Sequence, residues 1–244
     1  MRALSAAELL SVWERGFGLP PHERALSLLA MACPESSAGE LSSLTIGERD
    51  GRLLTLREWT FGKELSALMT CPACENSLEV SFYVSDITVT PEAQAADTHS
   101  LYLNDYDVLF RLPNSTDLAA LHGSVSVAEG ERVLLARCLL SARKGDAEVG
   151  VSELPVEVLD AIAAEMDTLD PQANVQLEPE CVHCGHRWKT TFDIESFFWS
   201  EIQAWAARTL REVHSLAQAY GWREAEILAL SPQRRRFYLE MLAT

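Results

Sequence analysis

The sequence predicts an α+β fold, mostly helical, with a small β module in its middle. Three observations carry that prediction. Apolar residues recur at helical spacing through both ends of the chain, strict alternation sets in near residue 78, and two Cys-x-x-Cys pairs each run into a strand-like segment.

The N-terminal helical segment is expected over residues 1–62. Ser5-Ala6-Ala7-Glu8 is a capping box, with a hydroxyl at the N-cap and a carboxylate three residues on. Leu9, Leu10, Val12, Trp13 and Phe17 then form an apolar stripe that Gly16 and Gly18 end. Pro20-Pro21 opens a second helix through about Ala32, and a second capping box, Thr45-Ile46-Gly47-Glu48, opens a third carrying Leu53, Leu54, Leu56 and Trp59.

After Gly62 the period changes. Leu78, Val80, Phe82 and Val84 alternate with Glu79, Ser81, Tyr83 and Ser85, as in a half-buried strand. Residues 86–98 read as a loop, and Leu101–Leu112 as a hairpin turning at Asn104-Asp105, so residues 63–112 form the first half of the β module. Ser115 or Thr116 then caps a helix, and two more are expected over about 128–143 and 155–168, the last with Pro155 in its first turn. Residues 113–171 are thus a helical insertion. Strand character returns at Asn174–Glu178 and from Arg187 to Phe192, giving the second half of the β module over 172–193. A long helix from Ile194 to about Ala219, and short ones near 223–230 and 232–242, make a C-terminal helical segment over 194–244.

Of 244 residues, 48% are hydrophobic and 23% charged, enough for a sizeable core and unlike a disordered chain. The longest apolar run, Ala25–Cys33, is too short to span a bilayer. The opening Met1-Arg2-Ala3-Leu4-Ser5 lacks the apolar stretch of a secretory signal, so a soluble, cytoplasmic protein is expected. A formal net charge of -16 repels free nucleic acid. The one dense basic run, Arg234-Arg235-Arg236, reads first as a solvated helix face and second as a site for an acidic partner.

The chemistry lies in the cysteines. Cys71-Pro72-Ala73-Cys74 and Cys181-Val182-His183-Cys184 are matching knuckles, each beside a strand, and Gly185 follows the second at a turn that needs positive φ. A two-residue spacer lets both sulfurs of a pair face one point, and two such pairs supply the tetrahedral set that zinc takes. The expectation is a zinc-ribbon-like module holding one structural Zn2+ on Cys71, Cys74, Cys181 and Cys184. It departs from a compact ribbon because residues 75–180, 106 in all, separate the pairs, so the metal is expected to hold two halves of a sheet together. Redox use of the thiols is disfavoured because neither pair opens a helix. A disulfide pair lacks a secretory context, and an iron–sulfur cluster is a third alternative. His183 or His186 could replace one thiolate, but the four-cysteine set is complete without them. Cys33 and Cys138 read as small buried hydrophobes.

Four thiolates leave zinc no open position for water or substrate, so the site is not expected to be catalytic. The sequence has no phosphate-binding glycine loop, nucleophile elbow or His-Glu-x-x-His, and His22, His99, His122 and His214 are isolated. No enzyme is expected.

The stretch Trp205–Glu240 carries a second signal. A helix ending in Ala219-Tyr220-Gly221-Trp222 leads into Glu226-Ile227-Leu228-Ala229-Leu230 and then Arg234-Arg235-Arg236-Phe237-Tyr238-Leu239. It is similar to a tail-protein segment of contractile phages and phage-like injection systems. With Leu4–Leu10 and the two knuckles, nearly the whole chain resembles the T-even phage baseplate hub family. That resemblance implies a baseplate component or hub assembly chaperone, with other tail or baseplate proteins as partners and no catalytic residue to carry over. The apolar faces of the two short terminal helices, with Ile227, Leu228, Leu230, Phe237, Tyr238, Leu239 and Leu242, read first as packed on the long helix. The alternative is a docking patch, for which Trp222 and Tyr238, beside Arg234, Arg235 and Arg236, have the residue types enriched where partners bind. The competing reading from the residues is a nucleic-acid-binding zinc-ribbon regulator.

Overall fold

In the computed structural model, residues 1–89, 97–121 and 126–242 are described. His122 lies outside them, as does most of the expected loop at 86–98. In chain order the elements are α1 (Ala6–Arg15), α2 (Pro21–Ala32), α3 (Ala38–Ser43), α4 (Ile46–Phe61), β1 (Glu64–Thr70), β2 (Ser77–Tyr83) and the single turn α5 (Val84–Ile87). Then come β3 (His99–Leu103), β4 (Tyr106–Phe110), α6 (Ser115–Ala119), α7 (Val127–Cys138), β5 (Leu139–Lys144), β6 (Ala147–Glu148) and α8 (Val156–Leu169). Last are β7 (Gln176–Leu177), β8 (Thr190–Thr191), α9 (Ile194–Tyr220), α10 (Glu224–Leu228) and α11 (Pro232–Leu242). The fold is α+β, 56% helical, with small sheets.

Helix starts follow local chemistry. Ser5 and Thr45 each accept from the backbone N–H three residues on, while Glu8 and Glu48 return the bond, so both expected capping boxes form. Ser37 and Glu40 make a third, which starts the unforeseen α3. The cap of α6 is Asn114, whose side chain accepts from Thr116 and Asp117, rather than Ser115 or Thr116.

The described residues divide into two compact units: Met1–Ser36 with Ile194–Thr244, and Ser37–Asp193. The first is helical. Leu9, Leu10 and Val12 of α1, Leu28 and Leu29 of α2, and Phe198, Ile202 and Ala206 of α9 are all buried. Gly16 has to be glycine, because a Cβ there would overlap the Trp199 ring.

The second unit holds three separate sheets: the hairpin β1-β2, the four-stranded antiparallel sheet β3-β4-β5-β6, and the short hairpin β7-β8. Three sequence expectations change here. The strand 64–70 was not foreseen, since Glu64-Leu65-Ser66-Ala67-Leu68-Met69-Thr70 alternates only weakly; it pairs along its whole length with β2. The helix expected to 143 stops at Cys138, and Leu139–Lys144 is a strand instead. Its residues are tolerant of helix, but the open edge of β4 pairs with it from Tyr106↔Lys144 to Phe110↔Leu139, and tertiary pairing overrides propensity. Finally, the predicted hairpin does turn at Asn104-Asp105, both at positive φ, but it belongs to the four-stranded sheet. The two Cys-x-x-Cys segments therefore do not share one sheet.

Two polar anchors set those segments side by side. Asp170, buried, accepts from the Gly47 N–H at 2.9 Å at the start of α4; a Cβ on Gly47 would strike that carboxylate. Gln172, also buried, accepts from the Val89 N–H at 2.7 Å and donates to the Ile87 carbonyl at 3.2 Å. The chain approaching β7 is thus fastened to the segments that enter β1 and leave β2.

Candidate metal centre

Each knuckle is the tip of a hairpin. The first joins β1 to β2 across Cys71–Asn76. The second caps β7-β8, whose ladder is extended toward the tip by a bridge between Glu180 and Arg187. The second hairpin's outgoing strand is shorter than its sequence suggests, Thr190–Thr191 rather than 187–192.

The backbone of the two tips is the same. The Cys71 N–H donates to the Asn76 carbonyl at 3.0 Å, and the Glu75 N–H to the Cys71 carbonyl at 2.9 Å. Correspondingly, the Cys181 N–H donates to the His186 carbonyl at 2.8 Å, and the Gly185 N–H to the Cys181 carbonyl at 2.8 Å. The residue after the second cysteine is left-handed in both, Glu75 at φ 59° and Gly185 at φ 73°. Glycine takes that conformation freely, whereas glutamate takes it at a cost.

The tips bring four sulfurs together. Cys71, Cys74, Cys181 and Cys184 present Sγ atoms that all lie within 4.8 Å of one another. The short cross-hairpin separations are 3.8 Å for Cys71–Cys184 and 3.6 Å for Cys74–Cys181. A tetrahedral ion with metal–sulfur bonds of about 2.3 Å sets its sulfurs roughly 3.8 Å apart, so the donor set fits one such ion. None of the six cysteines forms a disulfide. Cys71 and Cys181 are buried, Cys74 is half-buried and Cys184 exposed, which gives the site a closed inner side and an open outer one.

Hydrogen bonds already bias these thiols. The Asn76 backbone N–H and then its side-chain amide, at 3.4 Å, donate to the Cys74 sulfur and bring it down to about 6. The His186 backbone N–H pulls Cys184 down in the same way, but the protons shared with Cys74, Cys181 and Cys71 push it up to about 12. A divalent cation held by the four sulfurs would take the place of those protons. Asn76 is a residue of this candidate site that the sequence did not single out. Its only signal is a carboxamide two residues past the second cysteine of a knuckle.

Around the sulfurs the packing is thin. Leu78 is buried beside Cys71 and Cys181, with Val80 and Trp188 half-buried against them. Phe82 and Phe192 meet edge to face, with centroids 5.6 Å apart, at the other end of the hairpins. His183 and His186 are exposed and stand outside the sulfur cluster, and the His186 ring stacks on Trp188. Cys33 and Cys138 are buried, as expected. Burial first, and then the Asp117 charge, push the Cys138 thiol up to about 11.

The C-terminal candidates have a different fate. Arg235 is buried, donates to Glu212 of α9 at 3.0 Å and caps the Leu230 carbonyl, so it holds α11 in place and presents no surface to a partner. Trp222 stacks on Tyr220 and meets Tyr238 edge to face at 4.9 Å, and Trp222 and Tyr238 pack on the small core of Val213, Leu216 and Ile227. Only Arg234 and Arg236 of the five are exposed.

No described helix is long and apolar enough to cross a membrane. Neither the curated proteins nor the solved structures contain a match to the chain. One family model matches, over residues 22–199, nearly three quarters of the chain. The match takes in both knuckles and stops short of the Trp205–Glu240 stretch that suggested the resemblance. On that match the chain belongs to the T4 bacteriophage base plate protein family.

Proposed function

We propose that the protein is a non-enzymatic assembly chaperone or structural component of a contractile phage-type tail baseplate. It acts through contacts with other tail proteins, and one structural zinc ion on Cys71, Cys74, Cys181 and Cys184 clasps its fold. The observation that carries this reading is the base plate family match, which spans both metal knuckles. The sulfur geometry supports the metal half of it, since the separations suit one tetrahedral ion and four thiolates leave that ion no position for substrate. Its place is the host cell during assembly and, for a structural component, the tail particle afterwards.

Co-expression with the adjacent tail genes, followed by affinity purification and mass spectrometry, tests the partner. A stoichiometric complex with a baseplate protein is expected, and a chain that always purifies alone, or only with salt-sensitive nucleic acid, overturns the reading. Elemental analysis of the same preparation should give one zinc per chain. A folded protein carrying iron, or no metal, removes the clasp.

A further inference from the structure

We propose that the groove between α7 and α8 is a docking site for an amphipathic helix of a basic partner, seated with its apolar stripe down and Lys or Arg along its edges. The proposal rests on the reading that the protein works through protein contacts, and names the surface and chemistry of one of them.

The groove has a volume of 840 Å³. Leu134 and Leu135 of α7 form one wall, and Leu159, Ala163 and Met166 of α8 the other. The two helices are anchored differently. Helix α8 buries Val158 and Ile162 against the four-stranded sheet and leaves its flank to the groove. In α7 the sole buried residue is Cys138, at the last position, so its apolar middle is only half covered by the protein's own residues. From Val156 to Asp167 the α8 wall runs roughly 16 Å, room for about three turns of a docked helix. Met166 adds a side chain that adapts its shape to the occupant.

Charge selects the occupant. Glu131 stands on one bank, Asp160 and Asp167 on the other, all exposed, with Arg132 as the opposing cation. A helix with an apolar stripe flanked by Lys or Arg matches both the floor and the rim. The net charge of -16 steers such a cation toward the protein and disfavours a second copy of the chain as the occupant.

The test uses the full-length protein as purified and two synthetic helical peptides of roughly five turns, one built of Leu and Lys, the other of Leu and Glu in the same pattern. Fluorescence anisotropy should detect the Lys peptide and not the Glu peptide. Asp160→Arg with Asp167→Arg, and separately Ala163→Arg at an exposed groove position, should each weaken binding by about tenfold or more. Glu58→Arg with Glu79→Arg, an equal charge change at two residues of the same unit that do not line the groove, should leave it unchanged. Equal binding of the two peptides, or an equal loss in the Glu58/Glu79 control, overturns the proposal, because attraction would then lack a site. So does self-association that the groove substitutions abolish, because the occupant would then be a second copy. If the groove variants still co-purify with a baseplate protein, the docking site falls while the base plate reading stands. If no tail protein binds even the wild type, the base plate reading falls.

Discussion

Within one unit of the chain, the four-stranded sheet and the pair of knuckle hairpins are stabilised in contrasting ways. Under the sheet, seven buried residues form a continuous apolar core: Tyr106, Val108, Phe110, Ala142, Leu154, Val158 and Ile162. Around the sulfurs, the cluster between the hairpins has three buried members among the described residues, and two of those are cysteines. Burying one leucine such as Leu78 contributes about 2 kcal/mol, and an isolated two-stranded hairpin is marginal in water. The sheet can be held by burial. The hairpins have less apolar burial to hold them, and a metal on the sulfur cluster, as proposed, would supply the larger part of what they lack.

Removing the proposed zinc should therefore separate the two regions. Chelation, or Cys181→Ser, forfeits on the order of 10 kcal/mol of binding free energy from the hairpins and little from the sheet. Amide hydrogen exchange should lose protection over 64–83 and 176–191 while 99–110 and 139–144 stay protected. Hairpins that remain protected without metal would mean that packing holds them after all.

The converse change is Phe110→Ala. Phe110 is fully buried in the sheet core, and its truncation should cost about 3–5 kcal/mol by denaturant titration. Zinc stoichiometry should not move. A parallel loss of metal would show that the two regions unfold as one.

The sheet side has an ionic lock as well. The fully buried Asp117 carboxylate accepts two bonds from Arg111, at 2.6 and 2.8 Å, and one from Arg137 at 2.9 Å. Burial alone would raise its pKa, but Arg111, the Asn114 N–H and Arg137 together lower it. A lowered folded-state pKa gives stability that is present above the unfolded value of about 3.9 and is lost as pH falls through the folded one. Asp117→Asn should cost about 2–3 kcal/mol near neutrality, discounted because both arginines are partly exposed. The gap between wild type and variant should be flat from about pH 5 to 8 and close below about pH 4. A gap that persists in acid would assign the effect to packing.

How much of this was legible in the sequence follows the range of the interactions. Capping at Ser5 and Thr45, the Asn104-Asp105 turn and the Cys-x-x-Cys tips are decided within a few residues, and each was readable. Leu139–Lys144 was not, because its partner strand is some thirty residues upstream and its composition permits helix. Nor was the role of Arg235 within its run of three. Yet Arg235, Tyr238 and Leu239 lie at helical spacing with the core side of α11, and that pattern was the available clue. The sulfur site was legible as a donor set, whereas its setting between two separate hairpins depended on the contacts of Asp170 and Gln172.

The finest difference lies inside the metal region. The two tips share every backbone hydrogen bond, yet one places Glu75 and the other Gly185 at the left-handed position. A left-handed non-glycine residue costs about 1–2 kcal/mol, and glycine costs about 0.5–1 kcal/mol through the freedom it adds to the unfolded chain. Glu75→Gly should therefore stabilise the protein by about 0.5–1 kcal/mol, and Gly185→Glu should destabilise it by a similar amount, about 0.5–1 kcal/mol, since a Cβ at Gly185 meets open space and only the backbone counts. Thermal melts of the two variants should move in opposite directions. If both fall, the Glu75 side chain contributes something that its backbone strain conceals, and the two tips are not equivalent.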